Sequence, residues 1–476
     1  MANNNQIDKY VFRGNDIRGI AMGENPQLTP EFANLLGKAL GTYFLEKNCK
    51  HFLLGRDGRH TSEDLHEALS QGVMSTGLAV TSIGLTPSPM HYYSLCKGDF
   101  DCGAVITASH NPKQYNGFKI VIGNAHSVYG EELQKIYELM LKQDFVQADF
   151  PGAYQEISVI DDYVTKLHTF LNLKRPLKVI IDTGNGVGGP FMDAIFKHPM
   201  LDVEVLFQDL DPDFPNHPAN PEKAENMQDL SKAVVERKAD IGLGFDADAD
   251  RLGMVDEHGK FHGCDLLLML LAEDFLSRNP GETIIFDPKI SKVVENRIAE
   301  LGGKPYRFKT GHSFIEAEME AKNIKFGGEL SGHYFFHEDY YGFDDAMVAA
   351  MRLLSIVSRA EFPVSQFFAN LPKVFVTPEV RIPCADAIKF QVIDSVIERL
   401  KAQNLKISTL DGVFVEFNST TWAVCRCSNT APQLTFRFES QSPDDLKKVI
   451  NLILDALGDY QGLDLTKVRD LLTQDF

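Results

Sequence analysis

Gly103-Ala104-Val105-Ile106-Thr107-Ala108-Ser109-His110-Asn111-Pro112, residues 103–112, sets a short apolar run directly against a polar turn. Gly103–Ile106 has no polar alternation, so it reads as a strand buried on both faces. Thr107–Pro112 is turn chemistry, ending in a proline that cannot donate to a β-ladder. A serine in such a turn is expected to be exposed, beside backbone N–H groups that can bind an anion. His110 and Lys119 are placed to offset phosphate charge. The alternative for these residues is an ordinary polar turn that closes a strand.

The same texture extends outward. His51–Leu54, Lys178–Ile181, Asp240–Phe245 and Thr283–Phe286 are further apolar runs, mostly rich in Val, Ile or Leu, several followed by loops with Gly, Asp or Asn. Between them, Pro30–Leu45, Ser62–Thr76, Glu131–Lys142 and Gly263–Ser277 read as helices. A strand, a chemically loaded loop and a helix recur three times, which predicts three similar mixed α/β domains. Breaks near Pro151, Gly259 and Pro372 place them at 1–157, 158–260 and 261–372. Residues 373–476 differ. Lys406–Leu410, Gly412–Phe417, Trp422–Cys427 and Gln433–Glu439 read as a meander. Ser442-Pro443-Asp444-Asp445 then opens a helix with a cap, an N1 proline and acids that complement the dipole. This predicts a C-terminal α+β domain.

Three more loops carry chemistry. Asp246-Ala247-Asp248-Ala249-Asp250-Arg251 alternates three carboxylates, which share one side if the chain is extended. Like charges so close repel unless a cation joins them, and Mg²⁺ prefers such oxygen ligands. A solvated acidic turn or a calcium loop is the alternative. Gly327-Gly328-Glu329-Leu330-Ser331-Gly332-His333 offers carboxylate, hydroxyl and imidazole, suited to sugar hydroxyls. Arg426-Cys427-Ser428-Asn429-Thr430 joins two predicted strands and has the donors of a phosphate cradle; a plain β-turn is its bland reading. Gly184, Gly186 and Gly189 match a dinucleotide fingerprint with Asp209 beyond. A dehydrogenase leaves the other loops unexplained, so a tight turn is expected there instead.

The chain has 476 residues, 47 basic and 66 acidic, for a net charge of −19. That balance argues against nucleic acid and anionic membranes as partners. An anionic substrate must therefore be attracted by local cations. Seven dispersed cysteines fit a reducing compartment, and no zinc role is expected for Cys425 and Cys427. The absence of a signal sequence or a membrane-length apolar run predicts a cytoplasmic protein.

The four loops, in this order, resemble the α-D-phosphohexomutase superfamily, on its bacterial phosphomannomutase/phosphoglucomutase branch. The resemblance begins at Phe12-Arg13-Gly14-Asn15-Asp16-Ile17-Arg18-Gly19 and includes Lys309-Thr310-Gly311-His312. It implies four domains around a central active-site cleft. It implies a phosphorylated Ser109 that helps Asp246, Asp248 and Asp250 hold Mg²⁺. Arg251, Lys119, His110 and His312 then surround the transferring group, with His312 the candidate acceptor of the hydroxyl proton. Glu329 and Ser331 match sugar-hydroxyl contacts, with Arg18, Lys289, Gly311 and His333 also in the substrate site. Arg426, Ser428, Asn429 and Thr430 match the grip on the unreactive phosphate. The implied substrates are mannose and glucose phosphates, handled by a monomer or weak homo-oligomer. A hexose 1,6-bisphosphate is the intermediate and activator. Phosphoglucosamine mutase and a non-catalytic phosphosugar-binding protein are the alternatives. Ala247 and Ala249 stand where the family has glycines, a methyl being tolerable only at negative φ. Asn15 and Ala431 are further departures.

Overall fold

In the computed structural model, residues 7–403, 405–429, 431–458, 460 and 462–474 are described. The first sheet runs Ile17–Ile20, Tyr115–Ile122, Cys102–Ile106, His51–Arg56, Ala79–Leu85, Tyr154–Glu156. Its central strands are parallel, as burial between helices requires, and Tyr115–Ile122 returns antiparallel beside Cys102–Ile106. The second sheet places Ile241–Phe245 parallel to Leu177–Asp182 and antiparallel to Leu252–Asp256. In the third, Phe326–Gly328 is parallel to Thr283–Phe286 and antiparallel to Tyr334–Phe336.

These pairings correct one expectation. Each of the first three loaded loops joins an antiparallel hairpin rather than a strand to a helix. The connections are too short for a parallel crossover, which needs a dozen residues or more. The first three loops thus sit at the carboxyl ends of parallel strands, where α/β sheets place their ligands.

The fourth sheet is wholly antiparallel, with Val413–Asn418, Thr421–Cys427 and Gln433–Ser440 as its meander. Helices Lys389–Lys401 and Pro443–Leu457 cover one face. The Ser442 hydroxyl accepts from the Asp445 N–H, the cap read from the sequence. Among the described residues, no helix is long and apolar enough to cross a membrane.

The cores separate the last domain from the rest. Leu53 and Tyr92, Ile181 and Leu243, and Phe286 and Met351 belong to one continuous apolar cluster spanning the first three sheets. Ile382, Val415, Phe436 and Val449 form a cluster of their own. Polar links bridge the two bodies, among them Arg13–Asp386 and Lys292–Glu416. Such an interface permits the fourth domain to move.

Candidate active site

All four loops open into one cleft of about 110 Å³. Ser109 Oγ donates to Asp246 Oδ2 at 2.7 Å and lies 3.2 Å from His110 Nδ1. Contrary to expectation, Ser109 is buried, because Asp246 and the loop around it enclose the side chain. Its φ is +48°, in the left-handed region that few non-glycine residues adopt. Burial, then Arg251, Arg18 and Arg381, hold the His110 imidazole well below its ordinary pKa, so it is neutral. The shift leaves Lys119, Arg251 and Arg18 as the cations lining the cleft around Ser109.

The carboxylates of Asp246, Asp248 and Asp250 converge, their oxygens lying within 4.8 Å of one another. They do so through a turn, not through strand alternation: Ala249 N–H donates to the Asp246 carbonyl at 3.1 Å. Ala249 has φ +57°, so the expected negative φ is not met there; the turn imposes the left-handed conformation despite the methyl. Lys119 Nζ donates to Asp248 Oδ2 at 2.7 Å and also to Asp250. Burial alone would depress Lys119, but Asp248 and Asp250 outweigh it and raise its pKa. Burial, then Asp250 and Asp248, push Asp246 well above the usual carboxylate range. Asp248 Oδ1 and Asp250 Oδ1 are buried without a hydrogen-bond partner. Three converging carboxylates, two of whose oxygens accept no hydrogen bond among the described residues, fit a hard, oxygen-seeking divalent cation.

The third loop is also a turn, closed by Gly332 N–H to the Glu329 carbonyl, with Gly332 at φ +94°. Glu329, Ser331 and His333 all face the cleft. Glu329 Oε1 accepts from the Gly311 N–H at 2.7 Å, coupling this loop to the one that carries His312. Burial depresses His312, but Glu316 and Asp344 outweigh it and raise its pKa to about 9. A base must be neutral to accept a proton, so this shift favours the imidazolium, a donor, over the acceptor role that the resemblance implies.

Arg426, held by Asp411 at 2.8 Å, keeps Nη2 buried and without a partner among the described residues. Ser428 and Asn429 line the cleft beside it, whereas Thr430 lies outside the described residues. Asn429 bonds the Thr310 carbonyl and accepts from the Gly14 N–H, closing the ring of domains. Lys289 lies 2.8 Å from Glu379. Arg18 donates to Asn111 at 3.2 Å and to Asp16. Asn15 packs against the Gly311 loop.

Sequence reasoning missed Glu222, Glu379 and Arg381, which also line the cleft. Arg381 pairs with both acids, at 3.4 and 2.7 Å. They sit in no motif, and lone charges in a polar chain give no signal of convergence. The glycines 184, 186 and 189 buttress the site. A Cβ on Gly186 would lie 2.7 Å from the Ala247 backbone, and one on Gly189 2.0 Å from the Gln208 carbonyl. The metal loop thus occupies the approach a pyrophosphate would need.

The phosphoglucomutase/phosphomannomutase α/β/α domain I, II and III models match residues 9–147, 161–259 and 264–375. A phosphoglucomutase of Neisseria meningitidis is 39% identical over 447 residues, 94% of this chain and 96% of that protein. A phosphomannomutase/phosphoglucomutase of Pseudomonas aeruginosa is 36% identical over 439 residues, 92% of this chain and 93% of that one. The crystal structure of a phosphoglucomutase/phosphomannomutase family protein from Burkholderia thailandensis superposes with a TM-score of 0.87. It is 34% identical and covers 98% of both chains.

Proposed function

The chain belongs to the phosphoglucomutase/phosphomannomutase family, within the α-D-phosphohexomutase superfamily, and on that premise we propose that it interconverts hexose 1-phosphates and hexose 6-phosphates of mannose and glucose. The observation that carries this reading is the meeting of Ser109, the Asp246–Asp248–Asp250 cluster and the Arg426 loop in one cleft.

Phosphoryl transfer needs positioning and charge neutralisation more than covalent help. Phospho-Ser109 gives its group to the free hydroxyl of a hexose phosphate. The serine O–P bond breaks, a sugar O–P bond forms, and the hydroxyl proton is balanced by the one Ser109 Oγ regains. Lys119 and Arg251 present positive charge to the oxygens in transit, and neutral His110 can take or return a proton at Ser109 Oγ. Asp246, Asp248 and Asp250, with the phosphoserine, would hold Mg²⁺, which supplies neutralisation of the transferring group when bound. Glu329 and Ser331 hold sugar hydroxyls. Arg426, Ser428 and Asn429 grip the phosphate that does not react. The hexose 1,6-bisphosphate must then turn end for end and return its other phosphate to Ser109. A fourth domain with its own core lets that happen without release to water.

A coupled assay tests the substrate reading. Mannose 1-phosphate and glucose 1-phosphate are both converted, and glucosamine phosphate poorly. Glucosamine phosphate as the best substrate would instead identify a glucosamine mutase.

A further inference from the structure

Arg59 lies just beyond the central strand His51–Arg56 of the first sheet and is only 4% exposed. Every donor of its guanidinium is used. Nε bonds Asp57 at 3.1 Å. Nη1 donates to the carbonyls of Pro112 and Tyr115, at 2.9 and 3.1 Å. Nη2 donates to those of Ser109 and Asn111, at 2.5 and 2.7 Å. Three carbonyls of the loop and that of Tyr115, which opens the strand after it, thus converge on one side chain. Asp57 anchors it in turn, accepting from the Arg59 N–H at 3.0 Å and from Ser62 Oγ at 2.5 Å. The Phe214 ring, from the second domain, lies 5.3 Å from the guanidinium.

The consequence follows from peptide geometry. A trans peptide carries its C=O and the following N–H on opposite sides, and no cis bond occurs among the described residues. Binding the Ser109 carbonyl to Arg59 therefore turns the His110 N–H away from Arg59. Ser109, whose carbonyl this contact holds, has the unusual φ of +48°. We propose that Arg59 is a positioning residue for phosphoryl transfer, fixing the loop carbonyls so that the Ser109 side chain and the His110 N–H are aimed at the reacting phosphate. This rests on Ser109 being the phosphoryl carrier. Lysine cannot replace the fork, having three donors and no fixed plane.

The test uses full-length R59K and wild type, with glucose 1,6-bisphosphate as phosphoryl donor. Displacing the carrier by about 1 Å should lower kcat by about 100-fold. KM for glucose 1-phosphate should stay within about threefold, because other domains grip the substrate. Selective 15N-histidine labelling gives a second readout that does not depend on the variant's folding. In wild type, phosphorylating Ser109 should move the His110 amide proton downfield as it gains a charge-assisted bond; in folded R59K that shift should be lost. R59K with kcat near wild type, kcat and KM deteriorating together, or an unmoved His110 amide in wild type would each overturn the proposal. Failure of wild-type Ser109 to accept any phosphoryl group would be a separate result: it would remove the functional reading itself, and the role of Arg59 with it.

Discussion

Lys119→Met should tighten metal binding while weakening catalysis. Lys119 Nζ is 2.7 Å from Asp248 Oδ2 and also bonds Asp250. A cation held by those carboxylates at about 2.1 Å would lie within roughly 5 Å of the ammonium. At an effective dielectric of about 20, charges of +1 and +2 at that distance repel by roughly 6–7 kcal/mol. Side-chain movement and water reduce this, so the expected gain is at least about tenfold in Mg²⁺ affinity, or about 1.4 kcal/mol. In chelator the same substitution breaks a buried ion pair, a loss of roughly 3–5 kcal/mol. Mg²⁺ should therefore raise the melting temperature of K119M by more than that of wild type. Titration calorimetry with Mg²⁺ on dephosphorylated protein, and melts in EDTA and in Mg²⁺, measure both effects. Metal binding that is unchanged or weaker in K119M would refute the reasoning: the lysine would then organise the carboxylates rather than compete with the cation.

Two further outcomes are expected. His312 has a folded pKa of about 9, above the ordinary 6.5, because Glu316 and Asp344 outweigh burial. Its stabilising contribution is thus fully present below pH 6.5 and lost as pH rises through about 9. Wild type should lose melting temperature over that window more steeply than H312Q, and parallel curves would contradict the assignment. Glu329→Ala removes a carboxylate that faces the cleft and anchors Gly311. It should lower kcat/KM for mannose and glucose 1-phosphates alike, by about 1–3 kcal/mol in transition-state binding. Steady-state kinetics in which one sugar suffers more than tenfold beyond the other would contradict the shared grip.

The four loops were legible because each packs several functional groups into a few residues after an apolar run. Asp246, Asp248 and Asp250 had to meet somewhere, whatever the backbone did. How they meet was not legible, since alternation suggested an extended segment and the chain makes a turn with Ala249 at φ +57°. Pro30–Leu45, Ser62–Thr76, Glu131–Lys142 and Gly263–Ser277 are helices to within two residues of the reading; that a returning strand rather than a helix follows each of the first three loops was not legible, because periodicity identifies a strand but not the direction of the one paired with it. Arg59, Glu222, Glu379 and Arg381 were invisible because each sits outside the four loops, and only tertiary packing brings it to the cleft or the serine loop. The charged state of His312 depends first on Glu316, one turn along its own helix, and then on Asp344, thirty-two positions away and beyond any local motif.

The central claim is that Ser109 carries the phosphoryl group between the two ends of the sugar. Labelled glucose 1,6-bisphosphate, a rapid quench and peptide mass analysis test it most directly, with Ser109→Ala as the control. The account predicts stoichiometric label on Ser109 that chases into hexose phosphate. It also predicts that S109A loses turnover while still binding glucose 6-phosphate through the Arg426 and Glu329 loops. Label on another residue, or turnover in S109A near the wild-type rate, would contradict it.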